Sequence, residues 1–341
     1  MNSLLLPAAI AVLAFAVGFA SQRGSVCGVL AARQIVETGR FSRLVAFVTA
    51  SFWAMAVALP LAWLLPGTFS LAPTHPGLLP ALAGGALYGL GTIVNGACVF
   101  GTFSRILSGN LSFLAVLPGI ATGAGLGLSL GLPLLRSEKV ASPLAEPGPA
   151  GLAAEAIAIV VVIAAAVAIV RSHRRAGLGL AFVLRAARWR TSFSMMVIGV
   201  LGGVLFATGF PWSYPSFLRQ AGAAAFGLPA SFALATLVGV SSLVAGGVVS
   251  ALAGGRFAWR APRLVQSLRC LAGGTGMGLA ATFVPGGNDS LLLGALPAMA
   301  WHGAAAYVAM MAVQLGLLAA AKAWKDRAAR AWATAGSGAR P

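Results

Sequence analysis

Nine apolar runs, each long enough to cross a bilayer or nearly so, take up most of this chain: residues 4–20, 42–65, 78–94, 111–135, 151–170, 193–210, 231–252, 271–284 and 301–321. A hydrocarbon core takes about 20 helical residues per crossing. Backbone amides inside it must be paired within the protein, and runs of this length read as membrane-spanning helices. Composition agrees: 59% of the residues are hydrophobic and 9% charged, against about a quarter charged in soluble domains. The sequence predicts an all-α polytopic membrane protein with no separate soluble domain. The first run has no basic segment before it and no soluble body after it, so it reads as a span rather than a cleaved signal.

The formal charge of +17 would suggest a nucleic-acid partner in a soluble protein, but in a polytopic one it reports topology. With nine crossings, twenty of the 23 Lys and Arg fall on the side opposite the N-terminus, and only Arg136, Lys139 and Arg219 on the other. The basic side is the cytoplasm, so the N-terminus is expected outside and the C-terminus inside. The basic stretch 171–190 reads as a solvated loop on anionic lipid. Three cysteines, three histidines and six acids are too few for a disulfide framework, a metal site or haem. No cofactor, no enzyme activity and no nucleic acid are expected.

Between the runs lie Gly-rich apolar stretches too short to cross: 24–35, 96–107, 213–225 and 288–297. Such lengths suit re-entrant half-helices. Two fall among the first four spans and two among the last four, with one plain span between. The second set therefore begins on the opposite face, giving inverted repeats with the site near the midplane. The expected division is 1–135 as the first membrane repeat, 136–192 as a connector span and basic cytoplasmic loop, and 193–341 as the second, inverted repeat with a tail.

Half-helix N-termini near the midplane would attract an anion. Pro215 suits the first turn of one, and Asn288 or Asp289 the cap of another. Cys27 and Cys98 fall at two such starts, where a thiol can donate weakly to a soft anion. Cysteine is also simply a small buried residue, and Cys270 is read that way. Asp289 is the only acid on the expected path, where an intramembrane carboxylate is a functional candidate, or else it caps its half-helix. Asn95, Asn110 and Asn288 read as hydrogen-bonding struts, and Gln22 and Arg23 precede the first short segment. The Gly pairs 84/85, 202/203, 246/247 and 273/274 read as close helix-packing positions. The substrate path so drawn comprises Cys98, Cys27, Asp289, Asn288, Ser290 and Asn95, with Arg23 and Arg105 at its cytoplasmic end.

The stretch 89–111, Gly-Leu-Gly-Thr-Ile-Val-Asn-Gly-Ala-Cys98-Val-Phe-Gly-Thr-Phe-Ser-Arg105-Ile-Leu-Ser-Gly-Asn110-Leu, resembles the Cys-containing signature of the YeeE/YedE family of sulfur-transport membrane proteins. Residues 18–27, ending in Gly-Ser-Val-Cys27, are similar to that family's first Cys loop. The resemblance implies thiosulfate uptake across a bacterial inner membrane, with nine spans, four short helices and inverted halves. It also implies thiols that pass the anion inward by hydrogen bonds, Cys98 first and Cys27 second, and a small cytoplasmic sulfur-carrier protein as partner. One segment departs from the pattern: Gly286-Gly287-Asn288-Asp289-Ser290 stands where the family typically has Gly-Gly-Cys. That leaves open another sulfur or selenium species, or an ion, on the same scaffold. A membrane redox protein cycling Cys27 and Cys98 is the alternative of a different class, though no Cys-x-x-Cys pair supports it.

Overall fold

The computed structural model describes residues 5–75, 77–132, 140–177, 179–284 and 286–337. Arg136, Lys139, Arg340, the start of the first apolar run and the end of the fourth lie outside these residues. The described chain is helical throughout, without strands; two isolated β-bridges join Thr74 to Val140 and Asn110 to Arg260.

The helices are α1 (Leu5–Gly24), α2 (Gly28–Thr38), α3 (Ser42–Leu64), α4 (Leu78–Asn95), α5 (Val99–Leu107), α6 (Val116–Ser129, led by the 3-10 turn Leu111–Ala115), α7 (Pro149–Arg175), α8 (Leu180–Arg185), α9 (Thr191–Ala207), α10 (Tyr214–Ala225), α11 (Leu234–Ala253), α12 (Leu264–Phe283), α13 (Asn288–Ser290, continued by the π turn Leu291–Ala295) and α14 (Trp301–Ser337). Seven helical stretches among the described residues are long and apolar enough to cross a membrane: Leu5–Thr38, Ser42–Leu64, Leu78–Leu107, Leu111–Ser129, Pro149–Arg175, Leu234–Ala253 and Trp301–Arg330. Helix α9 is apolar but only 17 residues long. Helix α12 starts seven residues earlier than its apolar run, carrying Gln266 and Arg269 in its first turns.

The breaks inside Leu5–Thr38 and Leu78–Leu107 have local causes. After α4, Gly96 takes a left-handed conformation (φ +79°) and its N–H closes onto the Thr92 and Ile93 carbonyls, the usual way a helix ends. After α1, Ser25 adopts φ +46°, which costs a non-glycine residue about 1–3 kcal/mol and persists only when its surroundings enforce it.

Two sequence expectations are corrected here. The stretch 171–190 is not one loop: α7 runs to Arg175 and α8 occupies Leu180–Arg185, because the apolar periodicity of α7 carries three basic residues into its last turn, where they suit the dipole. Neither Asn288 nor Asp289 caps α13. The cap is Gly287, and both residues lie inside the helical turn.

The main helix pairs are α1 with α11, α3 with α9, α4 with α14 and α6 with α12; α1 also packs on α9, and α4 on α12. Glycines set these contacts. A Cβ on Gly246 would collide with the Phe15 carbonyl, and one on Gly18 with the Leu243 carbonyl, so each helix of the α1/α11 pair offers a flat notch to the other's backbone. Without water to drive association, such close approach supplies the packing energy. We expect Gly246→Val to destabilise the fold by about 1–3 kcal/mol, the usual cost of overpacking. In detergent it should aggregate at lower temperature than the parent, whereas Gly67→Val, with open space around its Cα, should not shift.

Loop contacts separate two ends of the helix bundle. At one end, Trp189 N–H donates to the Arg23 carbonyl, Ala258 N–H to Ser108, Arg260 N–H to Gly109, and Lys322 Nζ to the Val36 carbonyl. At the other, Ser70 N–H donates to Ala207, His75 N–H to Nδ1 of His302, and Ser142 Oγ to Ala298.

Candidate functional site

Three short elements and one strained turn converge inside the bundle. Cys27 is the extended N-cap of α2 and Cys98 that of α5, so both thiols stand where unpaired helix N–H groups begin. The N–H of Gly28, first residue of α2, donates to Cys98 Sγ at 3.0 Å, and the two sulfurs lie 3.9 Å apart. Both cysteines are buried and unbridged. A Cβ on Gly101 would lie 2.5 Å from Cys27 Sγ, so this glycine in α5 is what lets the first thiol approach the second.

The α13 segment closes the other wall. A Cβ on Gly28 would lie 3.8 Å from Cys98 Sγ and 3.7 Å from the Asn288 amide nitrogen; one on Gly287 would lie 2.8 Å from Asp289 Oδ1 and 3.0 Å from Tyr88 Oη. Gly28 thus faces the Cys98 thiol and the Asn288 amide, and Gly287 the Asp289 carboxyl and the Tyr88 hydroxyl. The side-chain oxygens of Asp289 and Tyr88 and both polar atoms of the Asn288 amide have no hydrogen-bond partner. Tyr214, at the start of α10, stacks on Phe103 and donates to the Val99 carbonyl at 2.8 Å, tying α10 to α5. Beside Asp289 is a space of about 20 Å³ bordered by Ser21, Trp212, Ser213 and Tyr214, room for about one water.

Of the residues selected from sequence, Cys27, Cys98, Asn288 and Asp289 come together here. Ser290 follows them, but its hydroxyl donates to the Gly287 carbonyl at 2.9 Å. Asn95 is a strut: its amide donates to the Ala97 carbonyl at 2.7 Å and to Thr102 Oγ1 at 2.8 Å, bridging α4 to α5. Arg23 and Arg105 are not brought together. Arg23 is buried, donates to the Ala186 carbonyl at 2.6 Å, and lines a cavity of about 440 Å³ with Arg43, Arg188 and Arg190. Arg105 lies over the Phe113 ring and lines a separate cavity of about 680 Å³ with Arg260 and Arg263. Neither cavity has an acidic residue in its lining.

Sequence reasoning missed Tyr88, Trp212, Tyr214 and Arg256. The chain has only three tyrosines, and all three are buried; a tyrosine deep inside an apolar run, as Tyr88 is, rather than at its edge, was a usable signal. Arg256 gave none. It donates from Nη1 to the Gln22 carbonyl at 2.7 Å and from Nη2 to Ser25 Oγ, holding the turn between α1 and α2 against the end of α11. Gln22 is held too, its amide donating to Ser108 Oγ at 2.9 Å.

Among the described residues, seven helical stretches long and apolar enough to cross a membrane, a buried polar centre of thiols and helix starts, and two basic cavities without an acid in their lining fit the class of multi-pass membrane transport proteins. Residues 23–315 match the family model described as sulphur transport. The chain belongs to this family, the YeeE/YedE sulphur-transport proteins, and is a membrane transporter of sulfur compounds, with a small sulfur-containing anion as the implied substrate class. No curated protein matches the chain.

Proposed function

We propose that the protein takes up thiosulfate across a bacterial inner membrane through the thiol centre. The carrying observation is the pair of buried thiols 3.9 Å apart, each on a residue at the N-cap position of a short helix, with the Asn288 amide close to Cys98. Thiosulfate enters from outside, sheds water between α2, α5, α10 and α13, and accepts S–H and N–H donors in its place. It leaves past the Gln22–Ser25 turn into the arginine-lined cavities. The space beside Asp289 is too small for this anion, so the path is closed in this conformation and passage moves the turn. The buried, unpartnered Asn288 and Asp289 and the close thiols support placing Cys98, Cys27, Asn288 and Asp289 on the path.

The nine-crossing arrangement, with its re-entrant short helices, belongs to the same proposal. The two loop clusters support it: residues 23, 36, 108–109, 189, 258–260 and 322 meet at one end and 70–75, 142, 207 and 298–302 at the other, as nine crossings require. The inverted repeat has support in the pairing of helices. Exchanging α1–α6 for α9–α14 turns α1/α11 into α9/α3, turns α4/α14 into α12/α6, and maps α1/α9 and α4/α12 onto themselves. Each resulting pair is among the main contacts. The basic end is then the cytoplasm, and the division into repeats 1–135 and 193–341 about a connector follows from this exchange.

The test is growth of a bacterium lacking its own thiosulfate uptake, with thiosulfate as sole sulfur source. Cells carrying the chain should grow and empty-vector cells should not. No growth at full membrane levels of the protein would overturn thiosulfate and point to another sulfur or selenium species. The 3.9 Å approach of the sulfurs also favours one second reading, a dithiol that cycles to a disulfide. Rapid thiol trapping and mass spectrometry separate the two: a transporter of the proposed kind keeps both thiols free during uptake, and a Cys27–Cys98 disulfide that forms and disappears with turnover would replace it.

A further inference from the structure

Asp289 is 3% exposed, and no cation among the described residues reaches either of its oxygens. Neither of its oxygens has a hydrogen-bond partner; the Ser213 hydroxyl at the start of α10 and the backbone N–H groups of Asp289 and Ser290 are the polar groups that approach. The groups facing it are Tyr88 from α4, Ser21 from α1, Ser213 and Tyr214 from α10 and, past Asn288, the thiols of Cys98 and Cys27. These side chains are hydroxyls and thiols, with no lysine, arginine or histidine among them, and the α13 backbone N–H groups beside the carboxyl are neutral.

An ionised carboxylate left in such a place is heavily penalised and takes up a proton instead. A dianion arriving at the thiols beyond Asn288 adds like-charge repulsion to that penalty. Once protonated, the same group is an O–H donor, on the segment next to the thiols and at the edge of the small space beside Ser213 and Tyr214. We propose that Asp289 carries its proton through transport and serves as a neutral hydrogen-bond donor to the passing anion, alongside the two thiols. This deepens the uptake reading and rests on it for the identity of the anion. It also makes the site selective: an anion that can accept several hydrogen bonds is held, and a cation finds no carboxylate to bind.

Two measurements on the full chain test this. In the first, the infrared band of a protonated carboxyl is compared between parent and Asp289→Asn in detergent at neutral pH. With six acids in the chain, the difference isolates this group. A band present in the parent and missing from the variant is expected; identical spectra overturn the proposal, whatever the substrate proves to be. In the second, thiosulfate uptake into proteoliposomes is followed against pH. Once Asp289 begins to ionise, the parent rate should fall about tenfold per pH unit, the slope of a single titrating group. Asp289→Asn, a permanent neutral donor of changed shape, should be slower at low pH, flat across the range, and faster than the parent at high pH. Asp289→Ala, neutral but no donor, should be slower than the parent at low pH by at least about tenfold, the worth of one hydrogen bond to a charged group. Parallel profiles for parent and Asn variant, or full uptake by the Ala variant, would overturn the donor role. If the parent transports no thiosulfate while the infrared band is present, the substrate reading fails and the proton site stands.

Discussion

Cys98→Ala is expected to abolish thiosulfate-dependent growth at unchanged membrane levels. Cys98 does two things at once: it accepts the Gly28 N–H at the start of α2 and lies 3.9 Å from the Cys27 sulfur. Removing it leaves a buried backbone N–H unpaired, at a cost of about 1–3 kcal/mol, and deletes one of the few donors that replace the anion's water. A hydrogen bond to a charged group contributes about 1.5–3 kcal/mol, so uptake by the alanine variant should fall by roughly 10- to 100-fold or more. Cys98→Ser separates the two roles. Its hydroxyl can still accept from Gly28 and donate to the anion, but it is smaller and less polarisable than sulfur. Radiolabelled uptake in cells should place the serine variant between parent and alanine. Full uptake by Cys98→Ser, with the parent's pH dependence, would remove any specific role for a thiol.

The difference between what could and could not be read from the sequence follows from contact range. The helix positions were legible because each apolar run is a local property: length and hydropathy place all the long helices except at their ends. Those ends slipped where polar residues continue a helix outside hydrocarbon, as at Gln266 and Arg269 in α12 and at Arg171–Arg175 in α7. The thiols were legible because a glycine-rich break before an amphiphilic stretch marks a half-helix start, and both cysteines occupy that position. What the sequence hid was which starts meet. Tyr214 reaches Val99 across 115 positions and Arg256 reaches Gln22 across 234, and no local pattern encodes either contact. Arg23 and Arg105 read as one cytoplasmic end of the path because both fall on the basic side of the expected topology, yet they line separate cavities.

Arg256→Ala is expected to open the cytoplasmic side of the site. The guanidinium spans the Gln22 carbonyl and the Ser25 hydroxyl, and it pins Ser25, a non-glycine residue near the thiols whose backbone is held left-handed. Burial, with Arg188 and Arg23 nearby, moves Arg256 below the usual arginine range, but an arginine stays charged in a protein, so both contacts are charge-assisted. At about 1.5–3 kcal/mol each, set against a turn costing about 1–3 kcal/mol, their loss should release the turn from its closed geometry. Cys27 lies two residues beyond Ser25 and is buried in the closed form. Its reaction with a charged thiol reagent added to inside-out vesicles should therefore speed up by roughly 10- to 100-fold in Arg256→Ala, the factor that about 1.4–2.8 kcal/mol of lost closure corresponds to. Reagent added from the opposite face should gain nothing, because the turn lies at the end of α1 that meets α9 and α11. Arg256→Lys keeps the charge but not the two-pronged reach, and should fall between them. Unchanged labelling in Arg256→Ala would show that the turn is held by the Gln22–Ser108 bond and the backbone bond from Trp189 N–H to the Arg23 carbonyl instead, and would move the gate to those contacts.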